Sequence, residues 1–138
     1  MLHLARLISA LMVLATLAAC VPNVSHGIQT YRVATSAVPG GAAWHALAVG
    51  VLGGQVNGDG TACFWIGDGP DMKALFWPYG YKAHQPPLGV SDETGANVAV
   101  VGERVSIGGG LFGEDGSSIV GCRGFTRFWA VGSVGKAT

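Results

Sequence analysis

Few residues of this chain have the side chains and the spacing that catalysis requires. Two histidines, His45 and His84, are the best candidates for a general base, since histidine is the residue type most often used to transfer protons in catalysis. Asp92 and Glu93 are adjacent carboxylates, but neighbouring residues of a strand face opposite sides, which favours turn residues over an acid–base pair. No serine lies in a G-x-S-x-G context. These residues favour binding over turnover.

Glycine-rich segments imitate two ligand-binding motifs without meeting their requirements. Gly108, Gly110 and Gly113 form a formal G-x-G-x-x-G, but no helix is predicted after it to hold a pyrophosphate. The segment from Asn57 to Thr61 resembles the start of a calcium loop, yet Ala62 stands where such a loop needs glycine. We therefore expect no cofactor and no metal at these segments, and we interpret the second one as a hairpin turn.

Residues 1–19 have the pattern of a secretory targeting segment. Arg6 supplies a positive charge, and the apolar run from Leu7 to Ala19 is shorter than the roughly 20 residues of a membrane-spanning helix. The four residues from Leu17 to Cys20 resemble the bacterial lipobox, whose cysteine carries acyl chains such as palmitate after the signal is cut. The resemblance implies a lipid anchor at Cys20 and an extracytoplasmic protein held on the cell membrane. An ordinary signal peptide is the alternative.

Two cysteines, Cys63 and Cys122, remain for the folded domain. Outside the cytoplasm such an even pair most simply forms a disulfide. It closes a loop of about 60 residues, for which the chain-entropy model gives roughly 4 kcal/mol. A metal site that joins the two thiols with His45 or His84 is the alternative, but no Cys or His pair has the short spacing of a zinc site.

The composition indicates one small folded domain. The 138 residues carry 8 basic and 8 acidic side chains, and a formal net charge of zero argues against a nucleic-acid partner, which requires a basic stripe. Hydrophobic residues reach 49%, which excludes a disordered chain. We expect a lipidated Cys20 with a tether over residues 20–42, followed by a domain over residues 43–138.

The elements that must position these residues are predicted to be strands. Short apolar runs alternate with glycine-rich turns at a spacing of about 8–12 residues, and no window has a helical period. Strands are predicted over residues 45–56, 62–66, 73–77, 97–101, 104–107, 118–120 and 125–131. A loop containing Pro86 and Pro87 precedes the fourth, and the alternation within 29–35 is typical of an edge strand. The pattern predicts an all-β fold, a small OB-like five-stranded barrel, with a small β-sandwich as the alternative.

Aromatic residues are the most informative candidates for a binding site. Tyr79 and Tyr81 lie on a loop that Pro78 stiffens. Together with Trp77 and His84 they are predicted to form a stacking platform for a glycan or for an envelope protein. The alternative is that this loop plugs one end of the barrel. An envelope enzyme or enzyme accessory that uses His84 near the two tyrosines also stays open.

The same loop resembles a motif of small secreted or lipid-anchored proteins of Gram-positive, high-GC bacteria. The shared string is Trp-Pro-x-Gly-Tyr at residues 77–81, with further similarity at 63–66, 102–105 and Cys122. The resemblance covers roughly residues 47–131 and implies a small β-barrel with one disulfide, but no activity. Taken together, we expect a membrane-anchored extracytoplasmic lipoprotein that acts as a binding module of the cell envelope. A superinfection-exclusion lipoprotein of a phage or prophage is the alternative.

Overall fold

The regular structure of this protein is almost entirely β-strand. The computed structural model describes residues 27–36, 45–112 and 119–138, so the predicted signal segment and Cys20 lie outside the described residues. Apart from a 3-10 turn at Gly69–Asp71, the elements are nine strands: β1 (Gln29–Tyr31), β2 (Ala46–Val56), β3 (Ala62–Ile66), β4 (Lys73–Phe76), β5 (Lys82–Gln85), β6 (Gly89–Ser91), β7 (Asn97–Val100), β8 (Arg104–Phe112) and β9 (Phe128–Lys136). Within the described ranges, no helix has the length and apolar character to span a membrane.

Five strands close into a barrel in the order β2-β3-β4-β9-β8. All neighbours in the ring are antiparallel except β4 and β9, which pair in parallel from Ala74 opposite Phe128 to Phe76 opposite Ala130. The long strand β2 serves two neighbours, because residues 46–51 pair with β8 and residues 52–56 pair with β3. The predicted all-β fold with an OB-like five-stranded barrel is confirmed.

A second, four-stranded antiparallel sheet has the order β1-β5-β6-β7. Ala83, Val90 and Ala99 are fully buried on its inner face and belong to the same hydrophobic core as the barrel interior. The sequence predicted a loop where β5 and β6 lie, because Pro86 and Pro87 indicated irregular structure. The two prolines instead occupy the turn of the β5–β6 hairpin, where their missing amide hydrogens leave the ladder intact.

Three predicted strands differ in extent from the structure by more than one residue. The strand predicted over 104–107 continues as β8 through the glycines to Phe112, and the strand predicted over 125–131 lies further along the chain, as β9 over Phe128–Lys136. In place of the strand predicted over 118–120, Ile119 forms an isolated bridge with Cys122. The glycine at 109 is required by packing within the sheet, since a Cβ atom there would collide with the Ala130 carbonyl oxygen. Glycine in this strand therefore marks a close approach and not the strand's end.

An N-terminal strap, residues 32–36, fills a gap in the barrel wall. β3 and β4 pair only at Trp65–Ala74 and Ile66–Lys73, and then they diverge. The strap enters between them: the Ala62 amide donates to the Arg32 carbonyl at 2.8 Å, and the Trp77 amide donates to the Ala34 carbonyl at 2.8 Å. Val33 and Ala34 of the strap are buried. Part of the segment in which we expected the tether thus belongs to the folded structure, and β1 forms an edge strand, as the alternation predicted.

Alternation in β3 separates two hydrophobic clusters. Phe64 and Ile66 point into the barrel and join the main core. Cys63 and Trp65 point outward, where they meet a second cluster that also contains Ala74, Cys122 and Phe128. The outer face of the barrel is therefore apolar and buried where Cys63, Ala74 and Phe128 lie, although an outer barrel face normally meets solvent.

Candidate binding groove

The loop that covers this outer face is attached to the barrel by a disulfide. Cys63 of β3 and Cys122 are joined, with their Cα atoms 5.0 Å apart, which confirms the predicted pairing. The neighbouring ring of Phe125 lies 5.7 Å from that of Trp65. We call residues 119–127 the disulfide loop. Because Cys63 and Cys122 are both buried and Phe125 packs against the same cluster, this loop forms a wall fixed beside the barrel.

A groove of about 750 Å³ lies between this wall and the loop that carries the predicted aromatic platform. It is lined by residues 30–35, which include most of the strap, by Gly60, and by Phe76 at the end of β4. Residues 79–82 and Ile119 and Val120 of the disulfide loop complete the lining. The groove therefore brings together parts of the chain that are distant in sequence.

The structure places two of the four predicted platform residues in the groove and one in the core, and the fourth lies in neither. Tyr79 and Tyr81 line the groove, and Tyr79 is 46% exposed. Trp77 is 1% exposed and stacks behind Tyr81, with ring centroids 6.0 Å apart and planes inclined by 21°. Trp77 also meets Phe64 edge-to-face inside the barrel, so it supports the Tyr81 ring from within the core and offers no exposed surface of its own.

The hydroxyl of Tyr81 remains protonated over a wide pH range. Partial burial raises the pKa of the Tyr81 phenol above its ordinary value, and the nearby carboxylates of Asp92 and Glu93 raise that pKa further. Asp92 itself accepts hydrogen bonds from the Thr94 hydroxyl and amide and from the Ala96 amide, and these bonds lower the pKa of its carboxyl. Asp92 thus closes the turn between β6 and β7, and Tyr81 presents a hydrogen-bond donor to the groove.

His84, the fourth predicted residue, lies on β5 and not among the residues that line the groove. Its Nδ1 atom is 3.1 Å from the Pro87 carbonyl oxygen, and its Nε2 atom is 3.1 Å from Oδ1 of Asn97. The Nδ1 contact lies within the β5–β6 hairpin, at its turn, and the Nε2 contact connects this hairpin to β7. The two contacts are a carbonyl and an amide oxygen, which lack the basicity of the carboxylate partner typical of a catalytic histidine.

Most residues that line the groove were not predicted from the sequence, and three of them bear on its chemistry. Tyr31 and Arg32 fall within the segment interpreted as a tether, and Lys82 was read only as part of the aromatic motif. The Tyr31 hydroxyl donates to Gln29 Oε1 at 2.6 Å and accepts from Gln85 Nε2 at 2.9 Å, which fixes its position. The alternation of residues 29–35 was the one signal in the sequence that this segment joins the fold.

A smaller polar cavity of about 330 Å³ lies where the β2–β3 turn meets the disulfide loop. Asn57 Nδ2 donates to Thr61 Oγ1 at 2.9 Å and to the Gly121 carbonyl at 2.8 Å, which connects the two loops. Asp59 accepts hydrogen bonds from the Thr61 hydroxyl and amide, and these bonds lower the pKa of its carboxyl. The hairpin turn predicted for this segment is the structure it adopts.

Over the described ranges, no group of three or more His, Cys, Asp or Glu side chains is placed to hold a metal ion. The candidate site is consequently a groove of tyrosine, apolar and cationic side chains. No protein-family model, curated protein or solved structure matches this chain, so the geometry of the groove carries the functional argument alone.

Proposed function

We propose that this protein is a lipid-anchored extracytoplasmic lipoprotein that binds a ligand of the cell envelope in the groove between the Tyr79–Lys82 loop and the disulfide loop. The observation that carries the proposal is the groove itself. Its volume of about 750 Å³ falls within the range of about 300–1,000 Å³ that is typical of small-molecule sites. Its aromatic lining provides large contact areas with few rotatable bonds, which suits recognition.

The position of the groove on the barrel supports this role. In OB-like barrels, ligands commonly bind near the loop after the first barrel strand and the loop between the fourth and fifth. Here these are the β2–β3 turn, which supplies Gly60, and the disulfide loop, which supplies Ile119 and Val120. This argument is an analogy of fold, and the side chains of this chain decide which ligand fits.

The lipid anchor at Cys20 would hold the groove close to the membrane. Between Cys20 and Gln29, the first residue of β1, even a fully extended chain spans no more than about 30 Å. Residues 30–35, which line the groove, follow directly after this point. A ligand presented at the membrane surface is therefore within reach, and we favour binding over turnover because the described contacts of His84 are structural.

The anchor is tested by metabolic labelling with a fatty acid. The Cys20→Ala variant is expected to lose the label and to leave the membrane fraction, whereas a Cys63→Ala variant keeps both. Retention of the label by Cys20→Ala would overturn the lipid anchor.

The groove is tested by photo-crosslinking on intact cells. We introduce p-benzoyl-phenylalanine in place of Tyr79. As the matched control it replaces Val49, a residue of β2 that is similarly exposed, at 48%, and is not among the residues that line the groove. An adduct of defined mass is expected from position 79 and not from position 49. Equal adduct patterns at the two positions contradict a binding role for the groove.

A further inference from the structure

The charges of the groove identify the class of ligand more narrowly. Resting on the proposed function, we infer that the groove takes an anionic oligosaccharide, whose acidic groups meet Arg32 and Lys82 and whose sugar rings lie on the tyrosines. Arg32 and Lys82 both line the groove and are exposed, and none of the described residues that line it is acidic.

Neither cation is neutralised by a neighbour within the part of the chain that the structure describes. The ion pairs found there join Arg127 to Asp71 at 3.1 Å and Lys136 to Glu103 at 3.9 Å. The whole chain has a formal net charge of zero, so two unpaired cations in one groove are a local excess. A ligand carboxylate or phosphate is the complementary group, since charge-assisted hydrogen bonds are the strong ones.

Two carboxylates lie just outside the lining and limit where negative charge is accepted. Asp92 and Glu93 are close enough to Tyr81 to raise its pKa, and Glu93 packs against Gly80. Negative charge on the ligand is therefore favoured beside Arg32 and Lys82 and disfavoured beside Glu93. A chain with separated acidic groups fits this pattern better than a dense polyanion, because like charges at close range repel.

The lining tyrosines favour a sugar over an acidic peptide. Tyr31, Tyr79 and Tyr81 each combine an apolar ring face with a hydroxyl, and the ring face suits the C–H face of a pyranose. The protonated hydroxyl of Tyr81 can donate to a sugar oxygen. A poly-acidic peptide would satisfy the two cations but would leave the ring faces without partners.

Calorimetric titration of the full mature lipoprotein in detergent micelles tests the inference with three probes. Tetragalacturonate carries both rings and acidic groups, maltotetraose has the rings without the charges, and tetraglutamate has the charges without the rings. We expect tetragalacturonate to bind at least about tenfold more tightly than either of the other two, with an affinity that falls as salt rises.

Variants that each remove one positive charge show which side chains bind the acidic groups of tetragalacturonate. Arg32→Gln and Lys82→Gln are each expected to weaken tetragalacturonate binding by about three- to tenfold and to leave maltotetraose binding unchanged. Their matched controls are Arg104→Gln and Lys136→Gln, which remove exposed cations from β8 and β9 and are expected to change neither. Thermal unfolding of every variant shows whether the fold is retained.

The outcomes separate this inference from the proposed function. Equal affinity for tetragalacturonate and maltotetraose overturns the anionic ligand, and equal affinity for tetraglutamate overturns the sugar. Absence of binding to all three probes, together with a position-79 adduct on cells, overturns the inference and leaves the groove's binding role intact. Failure of the photo-crosslinking experiment removes the proposed function and the inference with it.

Discussion

Two outer faces of the same barrel are apolar, and within the described residues only one of them is covered. On this face Cys63 of β3, Ala74 of β4 and Phe128 of β9 are buried in a cluster with Cys122 of the disulfide loop. On β2, by contrast, the outward side chains Leu47, Val49 and Val51 are 66%, 48% and 54% exposed. Both stripes follow the two-residue period of a strand, so the difference lies in what the neighbouring segments provide.

The covered face has a loop that is linked to it, and the exposed face has small or polar neighbours. The cross-strand partners of Leu47, Val49 and Val51 on β8 are Gly108, Ser106 and Arg104, which supply little apolar surface. On the covered face, Cys122 and Phe125 of the disulfide loop contribute a covalent bond and an aromatic contact. Apolar residues on an outer strand face therefore become buried where a second segment is fixed against them.

Removing the disulfide should reduce the difference between the covered and the exposed face more than any other change. A double variant, Cys63→Ser with Cys122→Ser, is expected to lose about 4 kcal/mol of unfolding free energy, since a loop of about 60 residues gains entropy in the unfolded chain. The released loop would also expose Trp65, so that its fluorescence becomes accessible to an aqueous quencher. Urea unfolding and acrylamide quenching measure the two changes.

The wild-type protein treated with a reductant serves as the control for the serine substitutions. It is expected to show the same loss of stability as the double variant. A loss below about 1 kcal/mol in both samples would mean that packing alone holds the disulfide loop, and the covered face would then differ from the exposed one for another reason.

A truncation on each face should give unequal losses. Phe125→Ala removes a half-buried ring from the covered face and is expected to cost about 2 kcal/mol, below the range of about 3–5 kcal/mol for a fully buried phenylalanine. Leu47→Ala removes a side chain that is 66% exposed and is expected to stay within about 0.5 kcal/mol. Urea unfolding of the two variants side by side provides the measurement. Equal losses would show that the exposed face is covered in solution.

The sequence predicted the covered face only in part. The even pair of cysteines predicted that Cys63 and Cys122 are linked. The two-residue period of β3 separates Cys63 and Trp65 from Phe64 and Ile66, but does not by itself show which pair faces outward. That the outward face is buried depends on the path of residues 119–127, where we expected strands over 118–120 and 125–131, and local sequence patterns do not encode this path. The exposed stripe on β2 could not be predicted either, because the strand is apolar on both faces.

The candidate site likewise combines residues that a local sequence motif predicts with residues that only the tertiary fold brings to the groove. Tyr79 and Tyr81 were predicted because the motif around them is local. Trp77 shares a face with Leu75 by the two-residue period, and both are buried in the core. Arg32 reaches the groove only because the strap enters between β3 and β4, a pairing between residues far apart in sequence. Hydrogen bonds of that kind depend on the tertiary fold, and sequence patterns do not reveal them.

The smallest expected effect comes from the polar connection between the β2–β3 turn and the disulfide loop. Asn57→Ala removes two donated hydrogen bonds, to Thr61 Oγ1 and to the Gly121 carbonyl. We expect a loss of about 1 kcal/mol in unfolding free energy, because a typical hydrogen bond contributes about 0.5–1.5 kcal/mol net and water replaces part of it here. The amide of Cys122, which donates to the Ile119 carbonyl at 3.2 Å, should exchange faster with solvent.

Gln55→Ala is the matched control, since Gln55 lines the same polar cavity and its contact to Asn57 is a weak one of 3.4 Å at the surface. It should leave both the stability and the exchange of the Cys122 amide unchanged. If Asn57→Ala speeds exchange at Cys122 without lowering global stability, the disulfide loop opens as a local unit while the barrel stays folded. If neither quantity changes, the disulfide and the packing of Phe125 hold the loop without this polar connection, and the covered face depends on those two interactions.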